Sequence, residues 1–112
     1  MPVIDQTIFE ELNQMSGEDF INELIDTFLE DAPKMIAEIK SALNTKDADA
    51  FRRAAHSMKS NAATFGASQL AGLSKELEML GKENKLDDSG DKLRTLEEAY
   101  ACVREELKGL KS

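Results

Sequence analysis

The sequence predicts an all-α fold: an antiparallel up-down four-helix bundle with a short additional N-terminal helix. Three observations carry this. Apolar residues recur at spacings of three and four, and no segment alternates convincingly with period two. The chain has 6 Gly and 2 Pro, too few for a turn-rich β-sandwich. Its 112 residues suit one domain, residues 1–112, and long amphipathic helices with short connections pack most simply as a bundle.

Ile8, Phe9, Leu12 and Met15 form the first short stripe, with Asp5 placed to cap it. This helix is expected to cover one end of the bundle. Ser16-Gly17-Glu18-Asp19 reads as the next helix start, Ser16 capping and Asp19 reaching back. Phe20, Ile21, Leu24, Ile25, Phe28 and Leu29 follow at helical spacing. Proline is disfavoured inside a helix, so Pro33 implies either a kink or a new helix from about Asp31. The stripe resumes with Met35, Ile36, Ile39 and Leu43, and Asn44-Thr45-Lys46-Asp47 reads as a loop.

The third long helix is expected from about Asp47 to Thr64, with Ala48, Phe51, Ala55, Met58, Ala62 and Phe65 as its buried stripe. Gly66 supplies the stop, because glycine takes the left-handed C′ conformation without penalty. Ser68 is placed to cap the following helix, which carries Leu70, Leu73, Leu77 and Leu80 and weakens at Gly81 and Asn84. Asp87-Asp88-Ser89-Gly90-Asp91 is turn-like, and Leu93, Leu96, Tyr100, Val103, Leu107 and Leu110 mark the last helix. Met15, Met35, Met58 and Met79 read as core filling, and Cys102 as a buried or half-buried small residue beside Val103.

Composition excludes several function classes. Lys and Arg total 14 against 22 Asp and Glu, a net charge of −8. So acidic a chain suits neither nucleic acid nor an anionic membrane surface. No apolar run approaches a membrane span, and Met1-Pro2-Val3-Ile4-Asp5 has neither the basic nor the apolar region of a signal peptide. One cysteine makes no internal disulfide. The expectation is a cytoplasmic chain. One histidine and one cysteine distant from it offer no usual metal shell, so the metal expectation is none. No glycine-rich phosphate loop is present, and one helix face cannot assemble a hydrolytic triad.

His56, the single histidine, carries the functional reading. At 100° per residue it lies about 130° from the centre of the buried stripe, so it faces solvent or the bundle edge. Lys59, Ser60 and Ala63 follow it on that face, and Arg52 and Arg53 precede it. Ser60 and Ala63 are small, leaving the imidazole open to a macromolecule. No Asp or Glu occurs from Ala50 to Lys75, which reads as a basic patch in an acidic chain. His56 stands ten residues before Gly66 and Glu78 ten after Ser68. Antiparallel helices therefore bring the two level. Glu78 could then hold one ring nitrogen and leave the other as nucleophile. The plainer reading of the histidine is an ordinary surface residue, and of Glu78 a pair with Lys75 or Lys82 on its own helix.

The run His56-Ser57-Met58-Lys59-Ser60-Asn61-Ala62-Ala63-Thr64-Phe65-Gly66-Ala67 resembles the phosphoacceptor segment of histidine-containing phosphotransfer (Hpt) domains. Phe28-Leu29-Glu30-Asp31-Ala32-Pro33 and the run from Leu73 to Leu80 are also similar to the family, and the likeness extends from about Ile8 to Leu107. It implies that His56 is the phosphorylated histidine and Lys59 the lysine near the phosphoryl group. It makes Ser60 the small residue giving the partner access and Gly66 the helix-closing glycine. Glu78 stands where the family often has Gln or Glu bonding the imidazole. Asn61 departs from the commoner Ser or Ala.

The implied activity is that of a phosphoryl carrier without kinase activity. It would take phosphate from the aspartyl phosphate of a response-regulator receiver domain and pass it to another receiver. Arg52, Arg53 and Ala63 would then belong to the partner-binding face. The implied cofactor is none, magnesium coming with the receiver, and the implied state is a monomer. The chain reads equally as a free protein or as a piece of a hybrid sensor histidine kinase. The alternative function is a helical protein–protein interaction module with no phosphotransfer.

Overall fold

The computed structural model describes residues 4–110, excepting the side chains of Ser16 and Glu18. Among these residues there are five α-helices and no strand: α1 Gln6–Ser16, α2 Glu18–Thr45, α3 Ala48–Thr64, α4 Ser68–Lys82 and α5 Gly90–Leu110, with one 3₁₀ turn at Leu86–Asp88. The long helices pack in a ring, α2 on α3, α3 on α4, α4 on α5 and α5 back on α2. Short connections make neighbours antiparallel, which is the expected four-helix bundle with an added N-terminal helix. No described helix is long and apolar enough to cross a membrane.

Asp5 caps α1 as expected, its carboxylate accepting from the Thr7 and Ile8 amides at 2.9 and 3.2 Å. The same residue's backbone N–H donates to the Gly66 carbonyl at 2.8 Å, and Ile4 is fully buried. The N-terminal segment thereby closes the end of the bundle where α3 turns into α4. The next corner differs from expectation. α1 runs through Ser16, so Gly17 holds the cap position of α2. The Ser16 side chain, expected to cap, lies outside the described residues.

α2 is one helix through Pro33, not two. The proline ring removes the N–H that would bond Leu29. Apolar residues on both sides hold the helix across this defect, Ile25, Phe28 and Ala32 before it and Ile36 and Ile39 after it, all buried. Pro33 itself is exposed. Phe28 packs on Phe65 and Tyr100, with ring centroids 5.4 and 5.9 Å away, so one aromatic cluster ties α2 to the end of α3 and to α5.

Asp47 caps α3 through the Ala50 amide. The helix ends as the glycine implied. Gly66 has φ 74°, its N–H donates to Ala63 C=O, and the Ala67 N–H donates to Ala62 C=O. Ser68 is the first residue of α4 rather than its cap; Ala67 holds that position with no side-chain bond.

The face of α4 also differs. Its buried line is Leu70, Ser74, Leu77 and Gly81, while Leu73 and Leu80 are only half-buried. Small residues in that line let α4 lie close to α3, and the leucines beside them seal the edges. Met35 and Met58 are core residues, but Met15 and Met79 are exposed, as is Cys102. Each of these three sits beside an apolar stripe and on its solvent side, a distinction of one helical step that composition does not make.

Candidate functional site

The buried residues of α3 are Phe51, Ala54, Ala55, Met58 and Ala62. They leave the opposite face of the helix to solvent, and His56 projects from it with 55% of its side chain exposed. Lys59 follows one turn later on the side facing α4. From α4, Glu78 reaches up between the two. Its Oε2 lies 2.7 Å from His56 Nδ1, and its Oε1 accepts from Lys59 Nζ at 2.8 Å. The counting argument from the hairpin thus places the pair correctly, and Glu78 bonds across the interface rather than to a lysine of its own helix.

The charge state of this group follows from its surroundings. The Lys59 ammonium, with the imidazole N–H adding to it, holds the Glu78 carboxyl below its ordinary value against the opposing effect of burial. Glu78 is therefore a carboxylate at neutral pH and can only accept hydrogen bonds. The hydrogen between it and His56 therefore belongs to Nδ1, and Nε2 is the ring nitrogen outside that bond. Because the folded value is lowered, the stability from this cluster is complete above the ordinary carboxylate range. It is lost as pH falls through the depressed value.

Ser60 and Ala63 are exposed beyond His56, leaving the ring approachable. Asn61 turns to the flank, where its amide donates to Ser57 C=O at 2.8 Å and touches the Met35 sulfur of α2. Gly66 lies ten residues along α3 from His56, about 15 Å at 1.5 Å per residue. It shapes the turn and takes no part in the cluster itself.

The basic patch is weaker than the acid-free stretch implied. Asp49, just before that stretch, pairs with Arg52 at 2.8 Å and Arg53 at 3.2 Å. Its carboxyl is held below the ordinary value, first by the Arg52 hydrogen bond. Lys59 is likewise paired, with Glu78. The i,i+3 and i,i+4 spacings from Asp49 were the available signal. Arg53 also lines an open groove between α2 and α3, together with Glu38, Ser41, Thr45 and Ser57. Among the described residues no three His, Cys, Asp or Glu lie together as a metal site.

The sequence profile of the Hpt domain family matches residues 23–109. The chain belongs to the Hpt domain family. Over 88 residues it is 28% identical to the phosphorelay protein LuxU of Vibrio harveyi, an alignment covering 79% of this chain and 77% of LuxU. It is also similar to the crystal structure of histidine-containing phosphotransfer protein B (HptB) from Pseudomonas aeruginosa PAO1. There the TM-score is 0.93 at 30% identity, over 98% of this chain and 95% of HptB. Hpt domains are phosphoryl carriers, not kinases. In this Hpt domain the whole of α1 and the Asp5 cap precede the matched residues, so the segment closing the α3–α4 turn stands outside the family profile.

Proposed function

We propose that residues 1–112 form one carrier domain of a phosphorelay, cytoplasmic and monomeric. Its His56 accepts a phosphoryl group from the aspartyl phosphate of a receiver domain and passes it to another receiver. The observation that carries this reading is the exposed imidazole whose Nδ1 is tied to a carboxylate, which leaves Nε2 as an open nucleophile. In the forward step Nε2 bonds to phosphorus as the bond from phosphorus to the aspartyl oxygen breaks. The receiver regains its carboxylate, and this chain holds a phosphoimidazole whose Nδ1–H stays on Glu78. The return step reverses both bonds. The loose transition state spreads charge over three equatorial oxygens. Lys59 offsets part of it, and magnesium is brought by the receiver.

The partner face centres on His56, with Ser60 and Ala63 leaving room and Arg53 at the groove between α2 and α3. Arg52, bound to Asp49 and lying on the α4 side, serves at the rim. The direct test is incubation with a receiver phosphorylated by a small-molecule donor. Acid-labile, alkali-stable phosphate is expected on this chain; its absence across a panel of receivers would favour a plain interaction module.

Lys59→Ala is expected to fold, since the side chain is 30% exposed and lies off the buried line. Two readouts should move together. The Glu78 carboxyl should titrate nearer its ordinary value, because the largest cause of its lowering is gone. Phosphoryl transfer should slow by about fivefold, the rate equivalent of about 1 kcal/mol for a partly exposed charge. An unchanged Glu78 titration by carboxyl-carbon NMR would remove Lys59 from the cluster.

A further inference from the structure

Gly81 of α4 lies against the backbone of α3 one turn before the histidine. It is buried, and a Cβ built on it would lie 3.0 Å from Arg52 N, 3.0 Å from Arg52 Cβ and 3.1 Å from Arg52 Cα. Two of these three atoms are backbone, so no rotamer change relieves the contact and the helices must part by a few tenths of an ångström. The location gives the contact its meaning. Arg52 is one turn before His56 on α3, and Gly81 is three residues, about one turn, after Glu78 on α4. In an antiparallel pair these steps run the same way, so the close contact lies one helical turn, about 5 Å, along the interface from the imidazole–carboxylate bond. Ser74, buried with its hydroxyl returned to Leu70 C=O, continues the small-residue line on the other side of Glu78.

We infer that Gly81 is a positioning residue for phosphoryl transfer. By letting α4 seat against Arg52, it sets the reach at which Glu78 holds His56 Nδ1 and keeps Nε2 as the nucleophile. Glu78 is held at both oxygens, by His56 Nδ1 at 2.7 Å and Lys59 Nζ at 2.8 Å, so separation of the helices is transmitted to the ring. This rests on the relay reading for its consequence in transfer, but its geometric part stands without it.

The test compares Gly81→Ala with Gly72→Ala. Gly72 is on the same helix, exposed, with nothing within 4 Å of an added Cβ. Both variants gain the same methyl and the same helix propensity, and only Gly81→Ala presses on α3. Ring-nitrogen NMR of His56 is read on unphosphorylated protein with no receiver present. In the parent and in Gly72→Ala, Nδ1 should carry the proton. In Gly81→Ala the tautomer balance should move toward Nε2–H, and Glu78→Asp, which shortens the arm without pressing on α3, should give the same signature.

Phosphoryl acceptance by Gly81→Ala should fall about three- to tenfold, the loss of one positioned hydrogen bond. Parent-like ring signals in Gly81→Ala would overturn the inference. So would unfolding of that variant by circular dichroism, since Gly81 would then be holding the bundle rather than setting the pair. A parent that takes up no phosphate while the ring signals behave as stated would sink the relay reading and leave the geometric role of Gly81 in place.

Discussion

His56→Gln is expected to fold as the parent does, to bind a receiver with similar affinity, and to take up no phosphate. The imidazole lies on the face of α3 opposite Phe51, Ala55, Met58 and Ala62, so its removal opens no cavity. A glutamine amide can still donate to the Glu78 carboxylate, which keeps that buried-edge acceptor partnered, and the stability change should stay within about 0.5 kcal/mol. Receiver affinity is expected to rest on the proposed patch, Ser60, Ala63 and the groove lined by Arg53, rather than on one exposed ring. Acceptance needs a nucleophilic nitrogen, and an amide nitrogen at neutral pH is not one. The chain has no second histidine to substitute. Acid-labile phosphate on the variant would falsify the assignment of His56. Loss of the helical circular dichroism signal would instead show that the ring supports the fold.

What could be read from sequence depended on whether the feature was periodic. The phase of His56 against the α3 stripe is an angle accumulated over 17 residues, and the exposed ring follows it. The level of Glu78 came from counting equal distances from one glycine turn, which works because both helices have the same rise. Features that depend on a single step were less legible. On α4 the stripe of leucines and the line of Ser74 and Gly81 are adjacent and both have helical spacing, so hydrophobicity alone selects the leucines. The structure buries the small residues because they let two backbones approach, a fact about the partner helix and not about α4. Asp49 lies one position outside the stretch whose lack of acids suggested a basic patch, and its two arginines were already in reach at three and four residues. Pro33 marked a local preference that the apolar residues of α2 on both sides override.

Gly66→Val is expected to be the most destabilising of the single changes considered. Two independent costs meet there. The residue has φ 74°, and a β-branched side chain in the left-handed region costs about 1–2 kcal/mol. The added atoms would also have no room. Its Cβ alone would stand 3.0 Å from Ile8 Cβ, 3.1 Å from Asp5 Cβ and 3.1 Å from the Asp5 carbonyl oxygen. The last of these is backbone, held where it is because the Asp5 N–H donates to the Gly66 carbonyl and the Asp5 side chain caps α1. Valine must therefore displace the whole N-terminal segment, with Ile4 leaving its buried place. Together the costs come to about 3 kcal/mol, or a fall of about 10 °C or more in Tm for a domain of this length. Gly66→Ala should fall between the two proteins, carrying the backbone strain and the Cβ contact without the branch. His56 should remain reactive in the surviving folded fraction, because Glu78 and Lys59 meet it far along α3 from this turn. A Gly66→Val protein that melts with the parent would mean that neither the left-handed cap nor the packing of the N-terminal segment on this turn contributes to stability.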